Sequence, residues 1–152
     1  MRIHASWIIV IALTAAAAPA GADPLDGRLP DQQSIAALEE RISQAPAKEQ
    51  CFLYAELIHQ MTELSLKQYA TGDVDRANQL LQQIQQIAHK VRLKVADNNK
   101  RLKNAEILLR HAAFHLNEML HASSYEDRPL VEQTLTQVTQ ADNDAMMQLF
   151  KK

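Results

Sequence analysis

His111 and His115 stand four residues apart and Glu118 follows three further on, so on a helix the three share one side. Two imidazoles and a carboxylate within one ion's reach are a ligand set for a divalent transition metal. The plainer account is a pair of surface histidines, because this edge carries no strong apolar shielding. A second pattern, Glu-x-x-His, occurs twice, at Glu56-Leu57-Ile58-His59 and Glu118-Met119-Leu120-His121. Di-metal carboxylate bundles place that motif on two helices and add a glutamate from each of two others. Here the segment from Asp73 to Ala96 holds no glutamate, and Glu56, Glu118 and His121 fall off the apolar stripes. The set is therefore incomplete. Cys51 is the single cysteine, which excludes covalent haem attachment through Cys-x-x-Cys-His. A non-covalent haem would have to use Met61 or Met119 with a histidine, and methionines at helical spacing ordinarily fill cores. No nucleophile motif or glycine-rich phosphate loop is present. The expectation is a non-catalytic chain with no cofactor, a metal- or haem-binding bundle being the alternative.

Charge supplies the other candidate surface. Lys90, Arg92, Lys94, Lys100, Arg101, Lys103 and Arg110 are opposed in their stretch only by Asp97 and Glu106, a local balance of +5. Such a stretch is either a solvated helix midsection, paired in part with neighbouring helices, or a docking patch for an acidic partner, polysaccharide or lipid headgroups. Screening within about 8 Å at physiological salt confines its influence to close contact.

These residues must be positioned by helices. The chain has 152 residues, 47% hydrophobic but only 5% aromatic, with three glycines, and its abundant Ala, Leu, Gln, Lys and Glu favour helix over sheet. An amphipathic helix is expected from Asp31 or Ser34, with Ile35, Leu38 and Ile42 on one face, and Pro46 ends it or opens the next. A longer helix over Ala47–Tyr69 buries Phe52, Ala55, Ile58, Met61 or Thr62, and Tyr69, widened by Leu53, Leu57 and Leu64. Glu56, Gln60, Glu63 and Lys67 form its wet side. Gly72 stops it and Asp73 caps the next by accepting backbone N–H bonds.

From Val74 a count in alternating steps of three and four runs through Ala77, Leu81, Ile84, Ala88, Val91, Val95, Asn98, Leu102, Ala105, Leu109, Ala112 and Leu116 to Met119. Only Asn98 among these is polar. A sustained count keeps one stripe facing a partner helix, so the reading favoured is one continuous helix over about 74–121, about 70 Å long, with Asn98 as a register-setting polar residue. The alternative is a tight turn at Asp97-Asn98-Asn99, which leaves four helices of similar length. A last helix follows Asp127 as cap and Pro129 in the first turn, with Val131, Leu135, Val138, Ala145 and Leu149 as its stripe and Asp142 interrupting it. The expected fold is all-α: an antiparallel helical bundle of four to five helices spanning 31–152.

The N-terminus reads as a delivery signal. Arg2 precedes an apolar run from Trp7 to Ala18, and Ala20-Gly21-Ala22 places alanine at both positions a signal peptidase inspects. The run is about a dozen residues, short of the roughly 20 that span a bilayer. The expectation is a signal peptide over 1–22, a loose arm over 23–30, and an exported chain, periplasmic or extracellular, with no transmembrane segment after cleavage. Without Arg2 the balance is 15 basic to 18 acidic side chains, which gives no global attraction to nucleic acid or anionic membrane. Cys51, alone in an exported chain, is expected as a small buried hydrophobe; an intermolecular disulfide or reactive thiol is the other reading.

Leu64, Ser65, Tyr69, Gly72-Asp73, Ala77 and Leu81 stand where a tetratricopeptide unit wants its small, aromatic, turn and packing residues, so about 58–90 resembles one such helix pair. The stretch departs at Gln68, where a large aromatic is usual, and at Ile84, where alanine is usual. With no second copy, the resemblance implies helix-pair geometry and not a peptide-binding groove. Lys103-Asn104-Ala105-Glu106-Ile107-Leu108-Leu109-Arg110, followed by Glu126-Asp127-Arg128-Pro129, is similar to a group of uncharacterised exported bacterial helical proteins, which implies no activity. The functional expectation is an interaction or scaffolding protein of the cell envelope. Its partner would be another protein or, if a long seam is left uncovered, a second copy.

Overall fold

The computed structural model describes residues 30–151, so the expected leader and most of the arm lie outside the described residues. Five helices follow in order: α1 (Gln32–Gln44), α2 (Ala47–Ala70), α3 (Val74–Lys94), α4 (Leu102–Ala122) and α5 (Arg128–Leu149). No strand occurs among the described residues. None of these helices is long and apolar enough to cross a membrane.

Local chemistry sets the boundaries. Asp31 and Ser34 form a reciprocal cap on α1: the Asp31 carboxylate accepts from the Ser34 N–H at 2.8 Å, and the Ser34 hydroxyl oxygen accepts from the Asp31 N–H at 3.0 Å. Ile35, Leu38 and Ile42 are its buried face, as their spacing predicts. At the end of α2, Asp73 N–H donates to Gln68 C=O at 2.8 Å and Gly72 N–H to Tyr69 C=O at 3.1 Å. This pattern needs a left-handed residue, which Gly72 supplies at φ +85°. A Cβ there would touch nothing within 4 Å, so backbone conformation alone calls for glycine. Asp73 does not cap α3 as expected; its carboxylate instead lies 3.5 Å from the Arg76 guanidinium.

The expected long central helix is broken. α3 ends at Lys94 and α4 begins at Leu102, and Asn98 is exposed in the connection instead of setting register in a seam. The stop is made by Asn99. Its amide nitrogen donates to the carbonyls of Lys94 (2.7 Å), Asp97 (2.9 Å) and Val95 (3.2 Å), satisfying acceptors that a helix end leaves open. Arg101 then turns the chain in the left-handed region at φ 59°. The connection over 95–101 is one heptad long, so the apolar count passes through it in phase although the helix does not. Most of both stripes is covered within the bundle: Ala77, Leu81, Ile84, Ala88 and Val91 on α3 and Ala105, Leu109, Ala112, Leu116 and Met119 on α4 are buried.

The helices form two hairpins, α2–α3 and α4–α5, laid side by side. α2 packs against α3 and α4, α5 packs against the same two, and α1 lies on α2. α3 and α4, although consecutive, sit diagonally opposite. Their connection passes the start of α2, where the Lys100 N–H donates to the Lys48 carbonyl at 2.9 Å. Bonds from Asn78 to Asp127, Gln85 to Thr134 and Arg92 to Asp144 advance together along α3 and α5, so those two helices run parallel. Inside, Ile58, Met61, Leu81, Ile84, Leu109, Leu116 and Met119 are at most 1% exposed. A fully buried leucine or isoleucine contributes about 2 kcal/mol. On α5 the buried face is Val131, Thr134, Val138, Ala141, Asp142 and Ala145, while Leu149 of the expected stripe faces solvent.

Candidate functional site

Two parallel contacts join the hairpins, and the one between α2 and α4 gathers histidines. His59 lies on the side of α2 that meets α4, with Glu63 one turn on; the His59 Nε2 to Glu63 Oε1 distance is 3.7 Å. From α4, the ring centroid of His111 is 6.2 Å and that of His115 is 6.4 Å from His59. Ligand atoms of His59, Glu63 and His115 all lie within 4.8 Å of one another. Burial lowers the pKa of His59 below the ordinary 6.5; Glu63 opposes that shift, and His111 and His115 add to it. His59 is therefore a neutral imidazole at neutral pH, with a lone pair to offer.

Of the residues singled out for metal binding, His111 and His115 are in this cluster. Glu118 stands behind it, its carboxylate 3.1 Å from His115 Nδ1. A carboxylate only accepts, so His115 Nδ1 is the donor of this contact and Nε2 is left free of it. His59 enters the sequence reading only with Glu56, in the Glu-x-x-His pattern, and Glu63 only as part of the wet side of its helix. The available signal was that His59/Glu63 and His111/His115 are both i,i+4 pairs, but nothing in the sequence sets those pairs face to face. Glu56 is half-buried, and Glu118 and His121 face solvent. Met61 and Met119 are core side chains. Cys51 is fully buried, and burial, with Asp97 adding and Lys94 opposing, pushes its thiol up to about 11. It is a packed hydrophobe with negligible thiolate at neutral pH.

The basic stretch is divided by the fold. Arg92 donates to Asp144 at 2.9 Å and to Gln140 at 3.0 Å, tying α3 to α5. Arg110 pairs with Glu106 one turn back on α4. Lys90 lies over the Tyr54 ring at 5.6 Å and Arg101 over the Phe52 ring at 3.6 Å. Lys100 reaches Glu49 only at 4.0 Å, and among the described residues Lys94 and Lys103 have no ion-pair partner. Lys94, Lys100, Arg101 and Lys103 thus gather at the pole where α3 ends and α2 and α4 begin. A groove of about 400 Å³ opens there, lined by Arg41, Lys100, Arg101, Glu49, Phe52 and Leu53, among others.

A further polar group is built into the α4/α5 contact. Glu106 is 5% and Asp142 7% exposed, and Asp142 Oδ1 has no hydrogen-bond partner. Burial first, then the Glu106 charge, raises the Asp142 pKa, with Arg110 opposing. No protein-family model, curated protein or solved structure matches the chain.

Proposed function

We propose that this chain is an exported, non-catalytic helical module of the cell envelope that docks an acidic protein partner at the pole around residues 94–103. The observation that carries this reading is a coincidence of charge and apolar surface. Lys94, Lys100, Arg101 and Lys103 lie at the pole where Leu93, Met147 and Phe150 are 68%, 59% and 79% exposed. Large apolar side chains beside cations form a surface that an acidic, partly apolar partner covers with gain from both terms. The groove lined by Arg41, Lys100 and Arg101 suits a carboxylate of that partner. Export rests on the signal-peptide pattern of residues 1–22.

Crosslinking in the cells that make the protein tests the docking surface. The wild-type chain is expected to capture an acidic protein in a salt-sensitive way. The variant carrying Lys94→Glu, Lys100→Glu and Lys103→Glu is expected to lose it. Equal capture by both chains contradicts the reading. Mass spectrometry tests export, with an envelope-located chain beginning at Asp23 as the expected result and a cytoplasmic chain retaining Met1 as the contrary one.

A further inference from the structure

The histidine cluster lies at mid-height between α2 and α4, away from the basic pole, and serves no purpose in docking there. Its composition is unusual for a helix–helix contact. Three imidazoles and one carboxylate face one another, and no hydrogen bond between the two helices joins them, whereas α3 and α5 are linked by direct side-chain bonds. Each helix contributes an i,i+4 pair, His59 with Glu63 and His111 with His115, the spacing that lets two side chains of one helix chelate a single ion.

We propose that His59, Glu63 and His115 bind one divalent late first-row transition ion, Zn²⁺ in the first instance, between α2 and α4, with water completing its tetrahedron. Donors about 2.1 Å from a tetrahedral ion stand about 3.4 Å from each other. The observed donors, within 4.8 Å of one another, therefore close by up to about 1.4 Å, a shift within reach of half-buried side chains. Glu118 is a positioning residue: its hold on His115 Nδ1 fixes the tautomer that presents Nε2, the carboxylate–histidine–metal arrangement of known zinc sites. Nitrogen and oxygen donors without thiolate select Zn²⁺, Ni²⁺ or Cu²⁺ over Ca²⁺ and Mg²⁺. The partial exposure of all three ligands leaves the ion a way in.

The test titrates Zn²⁺ into the purified, metal-stripped protein. One equivalent is expected to bind, Co²⁺ in its place is expected to show the intense d–d absorption of a tetrahedral ion, and Zn²⁺ is expected to raise the Tm because it binds only the folded pairing. His59→Ala and His115→Ala are each expected to weaken binding at least tenfold. Glu118→Gln is expected to weaken it about tenfold, the lower end of the range for outer-shell partners, with the stoichiometry kept. His89→Ala, on exposed α3 surface, is expected to leave binding unchanged. Should a variant fold poorly, histidine ring NMR signals of the wild-type protein give the same answer, with Zn²⁺ shifting His59 and His115 but not His89. Binding without defined stoichiometry, binding indifferent to His59→Ala and His115→Ala, or shifts spread equally over all histidines would overturn the proposal.

Discussion

The two contacts that join the hairpins are both parallel helix pairs, yet they are closed in opposite ways. Between α3 and α5 polar side chains bond directly across the contact. Asn78 donates to Asp127 at 3.0 Å, Gln85 to Thr134 at 2.9 Å and Arg92 to Asp144 at 2.9 Å, a ladder at heptad spacing on α3. Tyr69 and Ser124 also donate to Asp127, at 3.4 Å and 2.7 Å, and the Ser124 N–H donates to the Tyr69 hydroxyl at 2.8 Å. This network ties the turn of one hairpin to the turn of the other. Between α2 and α4, imidazoles meet imidazoles. Directed bonds fix register on the first side and need nothing further; on the second side, donors are brought together and left to a ligand.

The ladder should be where polar substitutions cost most. Asp127→Ala removes the acceptor shared by Asn78, Ser124 and Tyr69 and is expected to lower stability by about 2 kcal/mol, measured by urea unfolding. Bonds from those same donors, Asn78 first and Ser124 next, hold the Asp127 pKa below the ordinary 3.8. The stability linked to that shift is present above pH 3.8 and lost as pH falls through the lowered folded value.

Asp142 has the opposite sign. Burial and the facing Glu106 carboxylate raise its pKa, with Arg110 in opposition. The folded state thus holds this proton more tightly than the unfolded state, and the stability so gained is full below the ordinary 3.8 and lost as pH rises through the elevated folded value. Asp142→Asn keeps the shape and cannot ionise. It is expected to stabilise by about 1 kcal/mol at pH 7, with the gain shrinking as pH falls towards 4. A constant gain across that range would remove ionisation as its cause.

The smallest effect is expected on the histidine side. His115→Ala in metal-free protein should change stability by less than about 0.5 kcal/mol, because it removes one half-buried ring and no bond between helices. Its large effect is reserved for Zn²⁺ binding. A loss comparable to that of Asp127→Ala without metal would make the two contacts alike.

Much of the fold was legible because it is local. The capping pair at Asp31 and Ser34, the face of Ile35, Leu38 and Ile42, the stop at Gly72 and the stripes of α3 and α4 follow from spacing and turn chemistry. The break was hidden because a connection one heptad long preserves the apolar count, so periodicity cannot distinguish it from continuous helix. Position alone suggests Asp73 and Asp127 as caps, but neither side chain caps, and Asp127 is occupied by donors from the other hairpin and its own turn. Of the candidate metal site, His115 is legible beside His111, and His59 only as a partner of Glu56 in Glu-x-x-His. Their meeting is not legible, nor is the part of Glu63, because both depend on α4 crossing diagonally from α3 to lie beside α2, a tertiary choice that no local pattern encodes. Similarly, Arg92 and Arg110 look like free cations in sequence and become ion-paired only once α5 and the next turn of α4 are in place.

The account depends on α2 and α4 being parallel neighbours. Nuclear Overhauser contacts among the histidine rings of the purified protein test this most directly. Cross-peaks from His59 to His111 and His115 are expected, given ring centroids 6.2 Å and 6.4 Å apart. Contacts from His59 to α5 in place of α4 would contradict the arrangement, and with it the metal site.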